Sequence, residues 1–228
     1  MPAIFTGKKI SWEVRDEIGY LSFVDPPENR MDSAFFEEFG VLVSEIIPAS
    51  ASIALIISGS GRHFSSGAEL KDLFRIIKQE KTEALISNFE IFHSLNQLRI
   101  PVIAAIKGVC IGSGLELALH CHFRLCAEDA ILGLPESSFG LIPGLGGISK
   151  LMELSGKAKA IELALKGHHF NASDALKWDV VDAVYHKKIL IDKAIQLAQL
   201  SAGNYRKYNK SDCLQRIRID EANALSID

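Results

Sequence analysis

At 228 residues and 48% hydrophobic content, the chain can bury roughly 70–75% of the surface its unfolded form exposes, which predicts one large domain or one domain with a small appendage. A formal net charge of −3 argues against a broad nucleic-acid-binding face, and apolar runs no longer than a strand argue against a membrane span. The four cysteines, Cys110, Cys121, Cys126 and Cys213, lie mostly in apolar surroundings without disulfide-scaffold spacing, so a cytoplasmic protein is expected.

In chain order, Lys9–Val14 and Gly19–Val24 read as two strands joined by a turn at Asp16–Gly19. Asp32 or Ser33 caps a helix whose apolar residues Phe35, Phe36, Phe39, Leu42, Val43, Ile46 and Ile47 recur at helical spacing, and Pro48 is expected to stop it. Ser52–Ile57 reads as a buried strand, followed by a glycine-opened loop carrying HFSSGAEL at 63–70. Strand, helix and strand in that order predict a right-handed crossover. Helical segments are predicted at Leu70–Ile77 and Thr82–Leu98, then at Ile148–Leu154, Lys157–Lys166 and Ser173–Trp178, the last capped by Asn171 or Ser173. Val180–Val184 reads as a strand and Leu190–Leu200 as a helix. Repeated strand-then-helix units predict an α/β fold, with a core over 1–200 and a short tail over 201–228 that has no clear apolar period and is helical or partly disordered.

The stretch that organises the chain runs from Pro101 to Gly147. Val102–Ile106 is an apolar, β-branched run, hence a buried strand, and Gly108–Gly114 turns the chain sharply into a short helix, Leu115–His120. Glu116 sits among Leu115, Leu117, Ala118 and Leu119, where a solvated carboxylate is not expected. Glu136 follows the strand-like run Ile131–Pro135 and precedes Gly140, Pro143, Gly144, Gly146 and Gly147. Two glutamates at the ends of buried elements suggest paired acid–base work, although each can equally cap a helix or pair with a lysine. His120, Cys121, His122 and Cys126 are zinc-ligand residue types, but consecutive helical residues point in different directions and no second ligand pair follows, so no metal is expected.

Four segments, HFSSGAEL at 63–70, IPVIAAIKGVCIGSGLELAL at 100–119, LGLPESSFGLIPGLGGISKL at 132–151 and ALKGHHFNASDALKWDVVDAVY at 164–185, occur in the order and spacing of the crotonase (enoyl-CoA hydratase/isomerase) family, which the chain resembles over most of residues 10–200. The resemblance implies a crotonase-like ββα superhelix with a shortened C-terminal helical region, since typical members run some thirty residues longer. It implies an oxyanion hole made by the backbone N–H groups of Ala68 and Ser113, and substrate or coenzyme A contacts from Ser66, Ala68, Glu69, Leu70 and Gly112. Glu116 and Glu136 fall on the two glutamate positions of members that hydrate a double bond, with Glu116 as base and Glu136 as proton donor. The expected activity is therefore that of a lyase, an enoyl-CoA hydratase/dehydratase of fatty acid metabolism, with isomerase, thioester hydrolase or non-catalytic scaffold as alternatives. The coenzyme A or carrier-bound thioester is substrate and no cofactor is implied. A homotrimer or hexamer is the implied assembly. The basic tail residues Arg206, Lys207, Lys210, Arg216 and Arg218 could serve phosphates or simply be solvated.

Overall fold

The computed structural model describes residues 4–202, 212–215 and 217; the five basic tail residues lie outside them. Strands β1 (Ile4–Thr6), β2 (Ile10–Arg15) and β3 (Ile18–Phe23) pair antiparallel. Arg15 faces Ile18, so only Asp16 and Glu17 connect β2 to β3, both at positive φ (49° and 61°). That left-handed pair matches the strand twist of a two-residue hairpin.

Helix α1 (Ser33–Val41) starts at the expected cap, with Asp32 Oδ1 accepting the Phe35 N–H at 3.0 Å. Pro48 does not stop it. The chain passes through a wide π turn, Leu42–Ile46, into α2 (Ile47–Ala49), and the Ile47 N–H reaches back to the Leu42 carbonyl. Proline lacks an N–H and crowds the carbonyl four residues back, a mismatch that the wider turn absorbs. There follow β4 (Ala54–Gly59), α3 (Leu70–Lys78), α4 (Thr82–Leu95), β5 (Val102–Ile106), β6 (Val109–Ile111), α5 (Ser113–His120), β7 (Phe123–Ala127) and β8 (Ile131–Gly133). After a 3-10 turn at Pro135–Phe139 come α6 (Gly147–Ser155), α7 (Lys157–Lys166), β9 (His169–Asn171), α8 (Ala172–Lys177), β10 (Ala183–Tyr185) and α9 (Leu190–Ser201).

Seven strands form one sheet in the order β1-β2-β3-β4-β5-β7-β10, parallel from β3 onward, and β6-β8-β9 form a second. Both faces of the large sheet are covered, which is why β5 reads as an unbroken apolar run. Its Val102, Ala104 and Ile106 join a core cluster with α1, α4 and α5, whereas Ile103 and Ala105 join one with α9 on the opposite side. Cys213 and Ile217, beyond the expected boundary at 200, are buried in that second cluster.

The sequence reading missed β1, β7 and β9, and took β6 as part of the glycine turn. Strand β7 is fully buried yet has Arg124 in it, which breaks any apolar pattern. Its guanidinium is satisfied by the Val180 carbonyl at 2.9 Å, the Cys121 carbonyl at 2.6 Å and Asp182 at 3.2 Å. A buried charge is tolerated when so paired. The segment considered for zinc is therefore a helix end followed by a strand.

Candidate active site

The turn before α5 is held open by Gly112, at φ 55° and ψ −131°, a conformation in which a side chain is strained. The Ser113 N–H is the first of the helix and so has no intrahelical partner. Against this helix start lies the loop from Ser65 to Glu69. Ser65 N–H donates to the Val109 carbonyl and Ile111 N–H to the Ser65 carbonyl, both at 3.1 Å, and the Ser65 hydroxyl donates to Asn29 O at 2.7 Å. Gly67, at φ 88°, packs so close that a Cβ there would lie 2.8 Å from Ile111 O and 3.4 Å from Ser113 N. Ala68 bridges Met31, but that ladder uses Gly67 O (to Met31 N, 3.0 Å) and Glu69 N (to Met31 O, 2.9 Å). The Ala68 N–H therefore points away from Met31. Ala68 and Ser113 both line one cleft of about 750 Å³.

Glu116 and Glu136 line the same cleft. Glu116 is buried on α5, and its Oε1 accepts the N–H groups of Leu145 at 2.8 Å and Gly147 at 3.0 Å. Those donors favour the carboxylate, but burial and the charge of Glu136 outweigh them and push its pKa up to about 8. Glu136 rides on the 3-10 turn, where burial raises its pKa to about 6 against the pull of its own backbone N–H. Its Oε2 is buried without a hydrogen bond among the described residues. Both carboxyls thus have proton affinities raised by burial towards neutral pH, where a carboxyl can both give and take a proton.

Gly144–Gly147 is needed where it is because a Cβ on Gly147 would lie 2.7 Å from Glu116 Cγ. The sequence reading missed what clamps this turn from behind. His120, one helical turn after Glu116, is buried, and its Nε2–H donates to the Leu145 carbonyl at 2.8 Å. Burial lowers its pKa to about 4, so it serves as a neutral donor. The Leu145 peptide is thereby gripped at both ends, by His120 on its carbonyl and by Glu116 on its N–H.

Of the other expected contacts, Ser66, Leu70 and Gly112 line the cleft. Glu69 is not among its lining residues: it pairs with Arg30 at 2.9 Å and caps α3 through the Lys71 N–H at 3.3 Å. Arg30, Asn88 and His169 line the cleft as well, and only their placement by the fold identifies them. Among the described residues no group of His, Cys, Asp and Glu is arranged to hold a metal ion, and no helix is long and apolar enough to cross a membrane.

The raised pKa of Glu116 has a stability signature. The folded chain keeps a proton that the unfolded chain releases above about 4.5, so stability is full below that pH and falls as pH rises towards 8. Glu116→Gln removes this dependence. Urea midpoints of the variant and the parent are expected to be similar at pH 5 and to diverge in the variant's favour by pH 8, on the order of 2–4 kcal/mol. Parallel pH curves would show that Glu116 is not held protonated.

The family described as enoyl-CoA hydratase/isomerase matches residues 13–210. A probable enoyl-CoA hydratase of Bacillus subtilis is 35% identical over 192 residues, 83% of this chain and 74% of that one. The fatty acid oxidation complex subunit alpha of Shewanella loihica is 41% identical over 192 residues, 81% of this chain, which spans 27% of that much longer protein. The solved enoyl-CoA hydratase from Bacillus anthracis superposes with a TM-score of 0.80 at 28% identity, over 97% of this chain and 92% of that one. One from Geobacillus kaustophilus superposes at 0.84 over 99% and 91%, and at 22% identity shows likeness of fold alone.

Proposed function

The chain belongs to the enoyl-CoA hydratase/isomerase family, and from that premise we propose that it adds water reversibly to a 2-enoyl-CoA thioester to give the 3-hydroxyacyl-CoA. Its fold is that of the family's solved members. The observation that carries the reading is that two carboxyls with raised proton affinities line one cleft together with Ala68, whose N–H points away from Met31, and Ser113, whose N–H begins α5. The thioester oxygen accepts from Ala68 and Ser113, whose fixed donors stabilise the enolate-like charge as water oxygen bonds to C3. One carboxylate takes a proton from that water and the other carboxyl delivers one to C2, so the pair ends with the single proton it began with.

The resemblance makes Glu116 the base, and burial together with the charge of Glu136 raises its proton affinity. In that role Glu116 acts as the carboxylate and Glu136 carries the proton of the pair. Either direction requires the singly protonated pair, so kcat/KM is expected to be bell-shaped, falling below about pH 6 as the pair takes up a second proton and above about pH 8 as it loses its last. A flat profile from pH 5 to 9 contradicts the paired mechanism.

The deciding experiment follows the absorbance of the conjugated enoyl thioester with purified protein, using coenzyme A and carrier-bound substrates in parallel. Loss of absorbance without free thiol supports hydration. Release of thiol assigns hydrolysis, and a gain of conjugation from a 3-enoyl substrate assigns isomerisation.

A further inference from the structure

Helix α5 carries a second buried polar side chain, His120, one turn after Glu116. Residues four apart lie on the same helical face, and Glu116 and His120 together meet the start of α6. Gly146 caps that helix without a side-chain hydrogen bond of its own, so the backbone groups at its start find their partners on α5. Glu116 Oε1 accepts the Leu145 and Gly147 N–H groups at 2.8 and 3.0 Å, and His120 Nε2 lies 2.8 Å from the Leu145 carbonyl oxygen between them. Three consecutive peptides of the turn are thus matched, N–H, C=O and N–H, by an acceptor and a donor spaced one helical turn apart. The two glycines mark the same fit. A Cβ on Gly146 would lie 2.8 Å from His120 Nε2, and one on Gly147 2.7 Å from Glu116 Cγ.

A carbonyl oxygen only accepts, so Nε2 carries the proton, and Nδ1 keeps its lone pair, buried without a hydrogen bond among the described residues. The ring is held edge-on against Phe92 and His93 of α4, with centroids 6.2 and 6.3 Å away. Burial brings its pKa down to about 4. Lys150 of α6 and His93 of α4 lower it further, and the Leu145 bond and Glu153 of α6 oppose them. Its N–H is therefore a constant donor from about pH 5 to 9. His120 is not among the residues lining the cleft, whereas Glu116, Gly144 and Leu145 are, so any effect on a reactant passes through Glu116. We propose that His120 is the positioning residue of Glu116: by fixing the Leu145 carbonyl it aims the two flanking N–H groups at Oε1, holds the carboxyl in one orientation and favours its ionised form. Both bonds fall on Oε1, which leaves Oε2 to meet a reactant. Donors to a carboxylate lower its proton affinity, so the grip of His120 opposes the burial that raises Glu116.

The consequence for turnover rests on the hydration reading, so the test has one arm without turnover. His120→Leu keeps bulk and removes the donor, whereas His120→Gln puts a donor back at similar reach. In the full chain with isotope-labelled glutamate carboxyls followed by NMR, and Glu116→Gln assigning the resonance, His120→Leu is expected to move the Glu116 titration up by about half a pH unit or more. His120→Gln is expected to restore it. With a 2-enoyl-CoA, His120→Leu lowers kcat about tenfold or more while KM stays within about threefold, and the alkaline limb of kcat/KM moves up. His120→Gln keeps kcat within about threefold of the parent. Where circular dichroism shows that His120→Leu does not fold, Gly146→Ala presses on His120 Nε2 from the other side and is expected to move both readouts the same way. An unchanged or lowered Glu116 titration in the folded variant overturns the proposal, as does His120→Gln behaving like His120→Leu. A lower melting temperature beside parental kcat and titration makes His120 a packing residue only and overturns it too. If the parent hydrates no 2-enoyl-CoA while the titration shifts as expected, the proposed reaction falls and the positioning of Glu116 stands; hydration beside an unmoved titration does the reverse.

Discussion

Replacing either Glu116 or Glu136 by glutamine is expected to lower kcat for the proposed hydration at least about a hundredfold, the scale on which a positioned general acid or base contributes. Both carboxyls line the cleft, and both have proton affinities raised into the range useful at neutral pH. Glutamine keeps the shape and, at position 116, an oxygen to accept the Leu145 and Gly147 N–H groups, so circular dichroism is expected to be unchanged. Solvent deuterium exchange at C2 of a saturated acyl-CoA separates the roles. It persists in the variant lacking the group that activates water and is lost in the variant lacking the group that protonates carbon. Near-parental hydration in either variant refutes the two-carboxyl mechanism, and a harmless Glu116→Gln alone points to isomerisation.

The second large effect belongs to the backbone. Ala68→Pro deletes one proposed oxyanion donor and is expected to cost about 10²–10³ in kcat, whereas Ser113→Ala and Ser113→Gly keep their N–H and stay within about tenfold, or roughly 1.4 kcal/mol. Proline also restricts Gly67, which stands at φ 88°, so a second variant is informative. Gly67→Ala leaves every N–H in place but puts a Cβ 2.8 Å from Ile111 O. It should impair turnover by forcing apart the two segments that carry the donors. If Ser113→Ala proves as damaging as Ala68→Pro, the hydroxyl and not the backbone does the work.

Much of the site was legible because its signals are local. Val102–Ile106 announced itself by composition and is β5 to the residue; Lys157–Lys166 is α7 to the residue; of the paired candidates Asp32 or Ser33 and Asn171 or Ser173, Asp32 and Asn171 are the caps. Gly112 and Glu116 stood out because a glycine turn and a carboxylate on an apolar helix are anomalies visible within a few residues. What escaped the sequence depends on partners far along the chain. Strand β7 was hidden by Arg124, whose charge is neutralised by Asp182, 58 residues away.

The π turn before Pro48 was hidden because periodicity does not reveal how a helix absorbs a missing donor. The clamp from His120 to Leu145 crosses 25 residues. The raised proton affinities of the two carboxyls come from burial and, for Glu116, from the charge of Glu136 twenty residues on. Sequence by itself determined most of the helices, the central strands β2 to β5 and the anomalous carboxyls at 116 and 136, since these follow from spacing and short-range sterics. Only the tertiary structure decided how far each carboxyl is desolvated and which distant segments line the cleft beside them, since desolvation and cavity shape exist only once those segments have packed.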